Sequence, residues 1–179
     1  MRRTLAVAAF ACYAIHASVH LSRGEPYDLL WGCHIAVILV GVGLLSSQPA
    51  LNAVGLLWGC FGLPIWVIDN VTGGEFMPSA TLTHVGAVAI GLAGVRLLGC
   101  PDGVWWKALA TYLGLWLVTR VATPAAANIN LAFSVWPGWE RWFPNYPAYF
   151  TTLLVTGALT FFTGELLVRR IPRLEAAAA

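Results

Sequence analysis

A chain of 179 residues of which 59% are hydrophobic and 10% charged is a poor candidate for a water-soluble globule, which carries about a quarter of its residues as charges. Ten Lys and Arg against eight Asp and Glu leave a net charge of +2, which offers no footprint for nucleic acid. Cys12, Cys33, Cys60 and Cys100 form no CxxC pair and no zinc-ribbon spacing. With a mean hydropathy of +0.74, the chain reads as an all-α polytopic membrane protein.

Six apolar stretches approach the about 20 helical residues that a bilayer core requires: 4–21, 29–45, 51–68, 79–98, 104–122 and 147–168. The opening MRRTLAVAAFAC has the outline of a secretory leader, but is read as the first helix. The breaks carry loop chemistry: SRGEPYD, SSQPA, DNVTGGEFMP, GCPDG and a long segment at 123–146. Six spans place both termini on one side. That side holds Arg2, Arg3, Arg96, Lys107, Arg169, Arg170 and Arg173; the other holds Arg23, Arg120 and Arg141. The excess predicts cytoplasmic termini and a single domain, with a bacterial inner membrane as the expected location.

That orientation sets the polar residues. The first helix carries His16 and His20 toward its outer end, and the second enters with His34 in its second turn. The third ends at Asp69, the fourth begins with His84 in its second turn, and the fifth brings Arg120 to the outer side. Every histidine therefore lies near one face. The pentapeptide LLWGC occurs at 29–33 and again at 56–60, but the copies run in opposite directions. Cys33 lies roughly 6 Å and Cys60 roughly 13 Å from the outer boundary at about 1.5 Å per residue. The copies are not a repeat in register.

HASVH spaces His16 and His20 four residues apart on one helical face, an arrangement that holds a metal from a single helix. Zinc or copper would accept these imidazoles with His34, His84 or Asp69, and a haem would need two of them. The plain alternative is a chance spacing with His20 solvated at the interface. On the third helix Gly55, Gly59 and Gly62 form a small-residue stripe, read as a packing seam ending at Asp69. Trp116 and Arg120, one turn apart, are placed for a cation–π pair. Arg120 and Asp69 are also candidate ligand-binding charges at the outer end. Trp136, Trp139 and Trp142 with Tyr146 and Tyr149 have the look of an interfacial belt, and their loop is expected to roof the bundle. Cys33 is the cysteine nearest the histidines. Adjacent residues point about 100° apart on a helix, so a base for its thiol would come from His84 and not from His34. A small buried thiol is the simpler reading.

From about residue 29 the features GCHIAVILVG, LWGCFGLPIWVID, THVGAVAIGL, ANINLAF and FPNYPAY resemble, in that order, the YwaF-like family of six-helix membrane proteins. Animal relatives in that family are cysteine-dependent acyltransferases of ether phospholipids. The resemblance implies Cys33 as nucleophile, His84 as base and Asn128 as polar partner, with His34 in the same site and no cofactor. The family writes its pair as His-x-Cys, whereas Cys33 here directly precedes His34. The sequence thus predicts a six-helix membrane bundle with a histidine-rich site near its outer face. Its leading activity is lipid-directed acyl transfer or hydrolysis, and its partners are membrane lipids. The alternatives are a metal or haem redox protein using His16, His20, His34 and His84, and a non-catalytic subunit of a larger complex or homo-oligomer.

Overall fold

A computed structural model describes residues 1–174. Their regular secondary structure is all helical: α1 (Arg2–Ser22), α2 (Gly32–Leu45), α3 (Pro49–Val71), α4 (Ala87–Leu98), α5 (Val104–Ala122) and α6 (Tyr146–Val168). Arg2–Ser22, Pro49–Val71 and Tyr146–Val168 are long and apolar enough to cross a membrane, and Gly32–Leu45 and Leu82–Leu98 are shorter apolar helices. The outward faces agree: Val7, Ile15, Leu117, Val118, Leu159 and Leu167 are exposed where a soluble bundle would place charge. This is a membrane protein by the length and composition of its helices.

α3 is the central helix. It packs against α2, α4, α5 and α6, while α1 closes the bundle against α2 and α4. One core layer joins Ala36, Val54, Leu57, Trp58, Ala108 and Phe161; a second joins Ala6, Ala9, Val37, Val40 and Ala87. Small residues permit the close approach. A Cβ on Gly43 would strike the Asn52 backbone, and one on Gly55 would strike the Ala36 carbonyl. The glycine stripe of α3 is therefore a seam along its inner half, and at Gly62 it opens onto the His84 ring. Pro64 lies inside α3 without ending it.

Two of the differences from the sequence reading concern the site. Residues Pro26–Leu30 form a 3₁₀ turn with Pro26 in its first positions, and the chain turns at Trp31 (φ −58°, ψ 142°) before α2 begins. The second helix thus starts three residues later than its apolar run, which moves His34 from the second turn to the first and Cys33 up to the second helical residue. In the fourth span, Leu82–Gly86 is a π-helical turn that carries His84 and leads directly into α4.

Candidate metal centre

His16 and His20 project from one face of α1, as their four-residue spacing requires, with ring centroids 4.7 Å apart. The first turn of α2 adds His34, whose ring stacks on that of His16 at 4.6 Å and stands edgewise to His20 at 5.4 Å. One ring nitrogen from each of the three lies within 4.8 Å of the others. His16 is 3% exposed and His34 1%; the His20 side chain, nearer the rim, is 12% exposed.

The hydrogen bonds around the three rings are unequal. His16 Nδ1 meets Ser79 Oγ at 2.9 Å. His20 Nδ1 meets Glu25 Oε2 at 2.9 Å, with Asp28 at 3.7 Å beyond it. Each of these rings is oriented through Nδ1, which leaves Nε2 as the atom it can offer to a ligand. A carboxylate or hydroxyl behind an imidazole is the arrangement that orients metal-binding histidines. His34 has no such partner: both of its ring nitrogens are buried and make no hydrogen bond. A buried polar group left unbonded costs about 1–3 kcal/mol, so native folds rarely keep one without a use.

The position of His34 is set from far along the chain. The Gly32 N–H donates to Asn130 Oδ1 at 2.7 Å, and Asn130 Nδ2 donates to the Leu30 carbonyl at 2.8 Å. Asn130 thereby clamps the start of α2 across the 3₁₀ turn, and it does so with a left-handed backbone (φ 52°) that asparagine tolerates better than most residues.

The cluster forms one wall of a cavity of about 260 Å³, also lined by Cys33, Trp58, Phe61, Trp66, Asp69, Glu75, His84, Tyr112, Asn130 and Trp136. His84 lines the same cavity but falls outside the 4.8 Å group, its ring lying flat against Trp66 at 5.0 Å and 12°. Trp136 stands edgewise to Trp31 at 6.1 Å, so one of the supposed belt tryptophans walls the cavity. An ion pair between Arg23 and Glu75 (3.0 Å) joins the end of α1 to the loop after α3.

The other expected site residues are placed as follows. Asp69 and Cys33 line the cavity; Cys33 is a free thiol and is not part of the histidine cluster. Asn128 does not line it: its Oδ1 accepts the N–H groups of Phe133 and Ser134, and its Nδ2 donates to the Ser134 carbonyl, which closes a turn of the outer loop. Arg120 also points elsewhere. Its guanidinium lies over Trp116 (5.0 Å) and Phe133 (5.2 Å) and donates to the Ala132 carbonyl. It makes no ion pair with Asp69 among the described residues. Ser79, Glu25 and Asn130 support the triad, a role that the sequence did not assign to them. For Glu25 a signal existed, since it lies five residues beyond His20 across a Gly24 turn. No protein-family model, curated protein or solved structure matches the chain.

Proposed function

We propose that the protein is a membrane metalloenzyme that holds one zinc ion on His16, His20 and His34 and hydrolyses a lipid-like substrate drawn into the adjoining cavity. The observation that carries this is the His34 ring, buried with both nitrogens unbonded beside two imidazoles already oriented by Ser79 and Glu25. Three neutral imidazoles with a fourth position open to a cavity suit catalytic zinc, which activates water for attack on a carbonyl. Copper would accept the same donors. The stacked His16 and His34 rings, 4.6 Å apart, leave no slot between them for a haem macrocycle. The apolar wall of Trp58, Phe61 and Tyr112 favours a substrate with a hydrocarbon chain. In this reading all six helices cross a bacterial inner membrane, the basic ends Arg2, Arg3, Arg96 and Arg169 to Arg173 face the cytoplasm, and the cavity opens to the outer leaflet.

Elemental analysis of the detergent-purified chain, loaded with zinc and freed of excess, tests the proposal. One zinc per chain is expected in the wild type and none in His34→Ala or in a His16→Ala/His20→Ala double variant. A wild type that retains no metal, or variants that retain it, would sink the reading.

A further inference from the structure

The cavity holds a fourth histidine that the triad does not use. His84 is 8% exposed, and its Nδ1 is buried without a hydrogen bond among the described residues. The ring is held rather than loose. Trp66 lies flat against one face, and a methyl group on Gly62 would come into contact with the Cε1 and Nδ1 of His84 at 3.9 Å. The helix itself is altered to present it: the turn Leu82–Gly86 is π-helical, and such insertions gather at functional sites in helices. Trp58 and Thr83 nearby, by contrast, donate to backbone carbonyls.

The remaining lining narrows what His84 meets. Among the described residues that line the cavity there is no Lys or Arg, so beyond the metal itself a phosphate would find no counter-charge. Of the two acids that line it, Glu75 is already paired with Arg23 at 3.0 Å, and Asp69 would repel an anion. A neutral carbonyl carried on a hydrocarbon chain needs neither. Trp58, Phe61 and Tyr112 offer such a chain an apolar wall in the cavity that the triad and His84 also line.

We infer that His84 is a catalytic acid–base, not a fourth ligand, and that the substrate is a long-chain carboxylic ester; this rests on the metal site proposed above. Water at the three-histidine centre passes a proton to His84 as its oxygen bonds to the carbonyl carbon. The ester C–O bond then breaks, and His84 returns the proton to the departing alkoxide oxygen. Acid and alcohol are the products, and the imidazole ends as it began.

The test uses the full zinc-loaded chain in detergent and p-nitrophenyl esters of graded chain length, with His84→Gln and His84→Ala beside His34→Ala. Both His84 variants are expected to keep one zinc per chain and a KM within about threefold, while kcat on the decanoate ester falls about 100-fold or more. Zinc lost from the His84 variants as it is from His34→Ala would make His84 a ligand and overturn the inference. Unchanged kcat with metal retained would make it a packing residue. A zinc-loaded wild type inert toward every ester would overturn the inference while leaving the metal site standing, and a wild type without zinc would remove both.

Discussion

Two buried polar centres lie at opposite ends of the bundle and are built on opposite terms. At one end Glu165, 4% exposed on α6, has both carboxylate oxygens engaged: Gly103 N–H donates at 3.0 Å and Trp105 N–H at 2.7 Å, with Arg169 3.8 Å away. It serves as the missing cap of α5, whose first N–H groups have no partner within the helix. At the other end His34, equally buried, bonds to nothing. A polar group whose bonds are complete within the protein is part of the scaffold. One whose bonds are all open, in a cluster of like donors, is the group on which the zinc-site proposal calls. The contrast separates structure from site more sharply than burial does, because both groups are buried alike.

Substitutions can break the contrast. The largest effect is expected from His34→Leu, which should abolish stoichiometric zinc binding, beyond the about 10–100-fold loss that follows removal of an outer-shell partner. The metal-free protein should meanwhile keep or gain melting temperature, since an unbonded buried group costing about 1–3 kcal/mol is gone. A large fall in the melting temperature of the metal-free form would mean that His34 is scaffold after all. Next comes Glu165→Ala. Losing two charge-assisted bonds should cost about 3 kcal/mol in stability, seen as a lower midpoint in thermal unfolding, with zinc stoichiometry unchanged. Glu25→Gln should weaken zinc about 10–100-fold by competition titration and leave the melting temperature near that of the wild type. An unaltered affinity would show that the His20–Glu25 bond orients nothing. The smallest effect is expected from Asn130→Gly, which keeps the left-handed backbone but removes the clamp on α2. It should lose about 1 kcal/mol, together with a few-fold drop in zinc affinity.

What the sequence disclosed and what it withheld follow from range. Helix count and approximate bounds were legible because each apolar run is a local property. The start of α2 was not: Leu29 and Leu30 are as apolar as the helix they precede, and only the Pro26 turn reveals that they lie outside it. The HASVH pair was legible from spacing alone. Grouping it with His34 rested on a depth argument that set four histidines at one level, and the structure brings three together and leaves the fourth outside their group on the lining of the same cavity. Nothing local could have foretold the π-helical turn at His84. The two asparagines show the limit best. Asn128 and Asn130 are near neighbours with similar left-handed backbones, yet one closes its own loop and the other reaches Gly32. Which of them serves the site is decided by tertiary packing.

The Asn130 clamp also orders events in time. Its bond to Gly32 spans 98 residues of chain, and every helix from α2 to α5 lies between the two partners. During synthesis that bond therefore forms only after the fifth helix has been made and the loop after it has folded back. His16 and His20 are complete early, on a helix already in place, whereas the turn that carries His34 gains this restraint only near the end. On the zinc-site proposal, the last few-fold of affinity for the ion arrives when the bundle is almost whole.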